Sequence, residues 1–166
     1  MPPTKRELRA AAVVLMVVFA VTGCARGAVT PVLTAKEASD QMQSLVGDTM
    51  DVAGGDWTSM SDGPSPDECT TPRGSTGVSF SWDQTADGVV DPRAVMKRVD
   101  RAWRDKGLVT TRQSVERGDG KILHRVGSQG AVVDEIMFAA TTSGMTIEVD
   151  SLCGSGNVDD YYDDID

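Results

Sequence analysis

The chain has 166 residues and a formal net charge of −9, with 25 acidic and 16 basic side chains. A chain of this length buries about two thirds of its unfolded surface, which is enough for the core of one domain. The acidic balance excludes general nucleic-acid binding, because contacts with phosphates need a basic surface.

The N-terminal segment has the layout of a secretory signal. Lys5, Arg6 and Arg9 give it a positive start, and residues 10–21 form an unbroken apolar run. As a helix this run would span about 18 Å, which is less than the roughly 30 Å of a bilayer's hydrocarbon core. We therefore predict a cleaved signal peptide over residues 1–23 rather than a permanent transmembrane helix.

The signal ends in Val21-Thr22-Gly23-Cys24, which resembles the lipobox of bacterial lipoproteins. In such signals the cysteine receives a diacylglycerol and becomes the new N-terminus. Cleavage before Cys24 would leave 143 residues with a net charge of −11, since the removed segment carries three basic residues and one acidic residue. The resemblance implies lipidation of Cys24, with residues 24–33 as a membrane-proximal tether.

The cysteine count is consistent with that interpretation. The chain has three cysteines, so lipidation of Cys24 leaves Cys69 and Cys153 as a pair in an exported, oxidising setting. A disulfide between them would close a long loop and contribute roughly 4–5 kcal/mol in the loop-entropy model. Two free thiols are the alternative.

We predict a single domain over residues 34–153, and its first element is a helix. Thr34 and Glu37 have the spacing of a capping box, which predicts a helix over residues 35–46 that ends at Gly47. Residues 47–77 are rich in Gly, Ser, Pro, Thr and Asp. Such a stretch either contains a short strand near Trp57 or is a functional or flexible loop. We expect partial order, with Trp57 packed on the core.

The next helix has the clearest boundaries of the chain. A strand over residues 78–82 precedes it, since apolar and polar residues alternate there. Asp91 is the predicted N-cap, Pro92 occupies the first helical position, and Gly107 follows the last turn. The apolar positions of this helix are Val95, Val99, Ala102 and Trp103.

The C-terminal half is predicted to be a β-meander. Its strand candidates are residues 108–115, 121–126, 131–140 and 144–152, separated by turn-rich segments. Together with the earlier elements they predict an α+β two-layer sandwich, in which two helices cover one face of a five-stranded antiparallel sheet. Residues 154–166 are predicted to be an acidic, disordered tail.

Candidate catalytic and metal-binding residues are few. His124 is the single histidine, and no Gly-x-Ser-x-Gly motif accompanies it, so we interpret it as a strand residue rather than a catalytic base. Structural zinc needs four nitrogen or sulfur ligands, which the chain does not offer. Asp48, Asp51 and Asp56 lack the calcium-loop spacing, although loose calcium binding by them or by the tail stays an alternative. We predict no catalytic residue, no metal and no cofactor.

Paired carboxylates are a second candidate. Asp134 and Glu135 are neighbours on a predicted strand, so their side chains would point to opposite faces. Glu148 and Asp150 would share a face and could flank a ligand. Glycosidase chemistry needs two carboxylates about 5–10 Å apart across a sugar. In so acidic a chain many surface pairs meet that criterion, and we interpret these residues as a solvated face.

One feature opposes the overall charge. Basic residues recur at helical spacing along the second helix, at Arg93, Lys97, Arg101 and Arg104. They form either a solvent-exposed face or a docking stripe for an anionic partner, such as an envelope protein, an anionic envelope polymer or lipid headgroups. The acidic tail could also fold back onto them.

These features together resemble the small lipoproteins of high-GC Gram-positive bacteria, loosely the LppA-like type. The resemblance rests on the lipobox at Cys24, one cysteine before a strand, a helix containing Trp103, and a last strand that ends at Cys153. It implies a protein anchored on the extracellular side of the cell membrane through a lipid. We expect a non-enzymatic interaction module of the cell envelope. The alternatives are a small-ligand binder accessory to a transporter, which would need an apolar pocket, and a weak enzyme that acts on cell-wall material.

Overall fold

The computed structural model describes residues 32–130 and 132–162, and contacts group the chain from Pro31 onward as one unit. The described residues form two α-helices, seven strands and one 3-10 helix. In chain order these are α1 (Ala35–Ala53), β1 (Trp57–Ser59), β2 (Ser65–Thr70), β3 (Thr76–Asp87), α2 (Pro92–Asp105), β4 (Thr110–Glu116), β5 (Ile122–Gln129), β6 (Glu135–Ala140), β7 (Gly144–Asp150) and the 3-10 helix Val158–Tyr161.

Helix α1 begins as predicted and ends later than predicted. The Thr34 hydroxyl accepts a hydrogen bond from the Glu37 backbone N–H at 3.2 Å, and the Glu37 carboxylate accepts one from the Thr34 N–H at 2.8 Å. Gly47 does not end the helix, because buried side chains at Thr49 and Ala53 continue its apolar face. The helix ends at Gly54, whose positive φ of 73° suits a residue without a Cβ.

The glycine-rich segment that follows contains two strands. Trp57 lies in β1 and packs partly buried against the core, with its ring centroid 6.5 Å from that of Phe138. This agrees with the expectation of a short strand near Trp57. The sequence did not indicate β2. β1 and β2 follow each other along one edge of β3, interrupted by the loop over residues 60–64.

Helix α2 has the predicted N-cap and stop. The Asp91 carboxylate accepts a hydrogen bond from the Ala94 N–H at 2.9 Å, Pro92 occupies the first turn, and Gly107 has a φ of 87°. The helix lies beside the C-terminal half of α1. Arg98 donates to the carbonyl oxygens of Val52 and Ala53 there, at 3.5 and 3.3 Å.

The sheet is larger than predicted. The described residues form seven strands rather than five, in the order β1-β3-β7-β6-β5-β4, with β2 also paired to β3. Every pairing between these strands is antiparallel, and β4 to β7 form the predicted meander. Both helices pack on one face, α1 mainly over β3 and α2 mainly over β5 and β6. We call this the covered face and the opposite one the open face.

The covered face holds the core. Alternate residues of the strands point into it, and the fully buried ones include Val78, Val126, Ile136, Phe138 and Ile147. Trp103 of α2 completes the layer, and its indole N–H donates to the hydroxyl of Thr49 at 2.9 Å. The space between helices and sheet is therefore filled with packed side chains.

A disulfide joins Cys69 of β2 to Cys153, as the sequence analysis predicted. The S–S distance is 1.95 Å and the Cα–Cα distance is 5.9 Å. The chain around it is tightly packed. Gly154 exchanges backbone hydrogen bonds with Val78, at 2.8 and 2.9 Å. A Cβ on Gly154 would lie 2.5 Å from the backbone of Thr34, so the close approach requires glycine there.

The segment after Cys153 differs from the predicted disordered tail. Ser155 bridges to Thr34, and its N–H donates to the Leu33 carbonyl at 2.7 Å. Tyr161 packs edge-on against Phe80, with ring centroids 5.1 Å apart. The folded domain therefore extends through Tyr162, because Tyr161 supplies apolar surface and the Tyr162 hydroxyl donates to the Pro66 carbonyl at 3.4 Å. Residues 163–166 lie outside the described part of the chain.

Candidate functional site

Three of the five basic residues of α2 form an exposed row. Arg93, Lys97 and Arg101 are exposed and lie four residues apart, so they follow one side of the helix over about 12 Å. No ion pair joins any of the three to a carboxylate among residues 32–130 and 132–162. We call these three residues the basic row.

Arg104, the fourth predicted member of the stripe, is held elsewhere. Its Nε donates to Asp100 at 3.1 Å and to the Thr110 hydroxyl at 2.8 Å. Asp100 is 5% exposed and also accepts from Thr110 at 2.5 Å, with Arg112 at 3.6 Å. Arg104 therefore balances a buried charge between α2 and β4, and the stripe is shorter than the sequence predicted.

His124 lies half-buried on β5, directly opposite Ser114 of β4. Its Nδ1 is 2.8 Å from the Ser114 hydroxyl. In a catalytic triad a carboxylate orients the second ring nitrogen, and no described carboxylate contacts His124. The contact is thus a cross-strand side-chain pair, as the strand interpretation of His124 implies.

The carboxylates of the open face gather around Asp150. The pKa of the Asp150 carboxyl is raised, and its partial burial is the largest cause. The negative charges of Asp134, Glu135, Asp83 and Asp67 raise that pKa further. The prediction that Asp134 and Glu135 are strand neighbours is wrong, because β6 begins at Glu135 and Asp134 lies before it; both charges act on Asp150.

The open-face position of Glu148 and Asp150 is confirmed by the burial pattern of β7, whose buried residues are Met145, Ile147 and Val149.

The candidate calcium ligands Asp48, Asp51 and Asp56 do not lie together. Asp48 forms an ion pair with Lys106 at 2.7 Å between the helices, while Asp51 and Asp56 are exposed. Within the described residues no three His, Cys, Asp or Glu side chains are placed to hold a metal ion.

The open face is concave beside β4 and β5. One hollow of about 460 Å³ includes Gly127, whose missing side chain leaves room between Arg125 and Gln129; we call it the Gly127 hollow. Another hollow, of about 490 Å³, lies nearer the β4–β5 turn and includes Arg117; we call it the Arg117 hollow. Arg125 and Met137 line both.

The Arg117 hollow brings Glu148 together with residues that the sequence analysis did not single out. Arg117 and Arg125 line it on one side and Thr146 and Glu148 on the other. Half-buried apolar side chains form its floor, at Leu123, Met137 and Ala139. The signal in the sequence is limited to Leu123 and Arg125, which share one face of β5, and only the strand register shows which other side chains they meet.

The predicted lipid anchor lies outside the residues that the structure describes. The signal peptide over residues 1–23, Cys24 and the tether up to residue 31 all precede the described residues. Neither α1 nor α2 is apolar over a length that would cross a bilayer, and no other helix of the described chain is.

Comparison with protein-family profiles finds no match, and comparison with curated protein sequences finds none either. A crystal structure of a DUF4853 family protein from Actinomyces odontolyticus is similar, with 15% sequence identity and a TM-score of 0.47. The similarity covers 77% of this chain and 72% of that one. At this TM-score and identity the likeness assigns neither a family nor a function to this chain.

Proposed function

We propose that the protein is a lipid-anchored, non-enzymatic interaction module of the cell envelope. In this proposal Cys24 is acylated and holds the domain at the outer surface of the cell membrane, where two acyl chains give stable attachment. The basic row then binds an anionic envelope polymer. The observation that carries the proposal is that Arg93, Lys97 and Arg101 are exposed on an otherwise acidic chain and form no ion pair with any carboxylate of the described residues.

The position of the basic row favours a polymer over the headgroups of the same membrane. A tether would leave the domain before Thr34, at the N-terminal end of α1. α1 has 19 residues and is therefore about 28 Å long. Arg98, which lies within the basic row's span of α2, contacts the opposite end of α1. The row thus lies toward the end of the folded domain that is remote from Thr34, where the tether would begin.

The described part of the acidic C-terminal segment, up to residue 162, does not cover the row. The 3-10 helix Val158–Tyr161 packs against β2 and Phe80, on the side of the sheet where α1 lies. The basic row belongs to α2, which covers β5 and β6. This arrangement leaves the three cations open to an external partner.

The anchor is tested by fractionation of cells that make the full chain. We expect the protein in the membrane fraction, with a mass that includes a diacylglycerol on Cys24. Cys24→Ser should abolish both the added mass and the membrane attachment. An unmodified wild-type Cys24 would contradict the anchor while leaving the polymer contact open to its own test.

The basic row is tested by capture of the full chain on poly(glycerol phosphate), a regular polyanion. Lys97→Glu and Arg101→Glu, made singly, should each lower the affinity by about fivefold, equivalent to roughly 1 kcal/mol for an exposed charge contact. Added salt should reduce the difference, because exposed charges are screened.

The matched control is Lys36→Glu. This change has the same charge difference on an exposed position of α1, at the far end of the domain. It should leave capture unchanged. Equal losses in all three variants would indicate a response to net charge alone and would contradict a specific role for the basic row.

A further inference from the structure

The Arg117 hollow carries a second inference, which is independent of the basic row because it concerns the opposite face of the sheet. We propose that this hollow binds a small organic carboxylate that also carries an apolar group. The site combines two arginines, an apolar floor and a wall of hydroxyl groups in one concavity of about 490 Å³. That volume lies in the range of small-molecule pockets.

The two arginines supply the anion-binding part. Arg125 is half-buried, and its Nε and Nη2 both donate to the Gln113 side-chain oxygen, which fixes the guanidinium in place. A guanidinium has five N–H donors, so three of those of Arg125 are not used by Gln113. In the described part of the chain no carboxylate forms an ion pair with Arg125 or with Arg117. Both guanidinium groups line the same hollow, and a planar guanidinium suits bidentate binding of a carboxylate.

The charge balance of the hollow favours a monoanion. Arg117 and Arg125 contribute two positive charges and Glu148 one negative charge. Lys121, at the rim, already has Asp119 at 3.9 Å and donates to the Ser143 hydroxyl. One positive charge is left without a counterion, which a carboxylate would neutralise.

The floor and the far wall orient the ligand. Ala139 lies between Arg125 on β5 and Thr146 on β7 in the strand register, and its small side chain leaves the centre of the hollow open. Leu123 and Met137 offer apolar surface on the same floor, where neighbouring water is displaced and charge interactions strengthen. Glu148 repels an anion from the β7 side. The carboxylate therefore lies at the arginines, and the apolar group extends over Ala139 toward Thr146.

The test uses fluorine NMR with the full chain in phosphatidylcholine nanodiscs and empty nanodiscs as reference. The probe is 4-(trifluoromethyl)benzoate, and we expect saturable line broadening with an affinity in the range of about 1 mM. Trifluoroacetate lacks the apolar ring and 4-(trifluoromethyl)benzyl alcohol lacks the charge, so neither should broaden comparably. Equal broadening by the alcohol would overturn the carboxylate assignment, and no broadening by the benzoate up to ~10 mM would overturn the site.

Variants locate the binding. Arg117→Gln and Arg125→Gln should each weaken benzoate binding about tenfold, a typical effect of losing one charge-assisted contact. Lys36→Gln removes the same charge from an exposed position on α1, outside both proposed sites, and should have no effect. Ala139→Leu keeps both arginines and fills the floor, so it should abolish binding even if an arginine variant fails to fold. Wild-type affinity in Ala139→Leu would overturn the proposal.

Discussion

The covered and open faces of the sheet are built from alternate residues of the same strands, yet they have different roles. On β6 the side chains of Ile136, Phe138 and Ala140 are 0% exposed on the covered face, whereas Met137 and Ala139 are half-buried on the open face. The open face also holds the hollows and most of the carboxylates around Asp150. The comparison shows that the buried apolar side chains are concentrated on one side of the sheet, while the polar and charged side chains of the other side remain accessible to solvent.

The sharpest test of this difference uses two neighbouring residues of β6. Phe138→Ala should lower the free energy of unfolding by about 3–5 kcal/mol, because it removes a fully buried ring and leaves a cavity beneath the helices. Met137→Ala, one residue away on the open face, should cost about 1 kcal/mol or less. Chemical denaturation of both variants measures the difference. Similar losses would show that the open face is covered in solution.

A smaller effect is expected from two threonines. The Thr49 hydroxyl accepts from the Trp103 indole at 2.9 Å and donates to the Leu45 carbonyl at 2.7 Å, and the residue is 2% exposed. Thr49→Val keeps the shape but leaves the indole N–H unpaired, so we expect a loss of about 1–3 kcal/mol. Thr146→Val on the open face should change stability by about 0.5 kcal/mol or less. The same denaturation series checks both, and a neutral Thr49→Val would contradict the importance of the buried hydrogen bond.

The elements that the sequence predicted best are those with local signals. The capping box at Thr34 and the Asp91-Pro92 start located both helices, because these residues bond to the backbone of their own first turn. The alternation in β7 located its buried face. Gly47 was misleading, since a glycine inside a helix costs only about 1 kcal/mol and the apolar positions beyond it outweigh that cost.

The elements that the sequence missed depend on distant partners. β2 contains Pro66 and acidic residues and resembles a loop, but as an edge strand it needs hydrogen bonds on one side only, and Cys153 fixes it. The folded end of the chain depends on Tyr161 meeting Phe80, which lies far away in the sequence.

The candidate sites show the same division. The basic row follows from helical spacing alone, and only Arg104 departs from it, because a contact with Thr110 brings it to β4. The Arg117 hollow needs the register of β4, β5 and β6, and Met137 and Ala139 obscure that register because apolar residues occupy both faces of β6. Such a strand has no alternation to indicate its orientation.

The smallest expected effect belongs to the open face and concerns Asp150. Because burial and the charges of Asp134, Glu135, Asp83 and Asp67 raise the pKa of Asp150, the folded protein binds its proton more tightly than the unfolded chain. Asp150 therefore contributes stability below its ordinary pKa, and this contribution is lost as the pH rises through the raised value. Asp150→Asn should raise the melting temperature at neutral pH and flatten the acid-side dependence in that window, whereas an unchanged melting profile would contradict the crowding of charge on this face. A matched Asp51→Asn change removes the same charge from an exposed position of α1 and should raise the melting temperature at neutral pH by less, so the comparison isolates the electrostatic penalty that the open face carries.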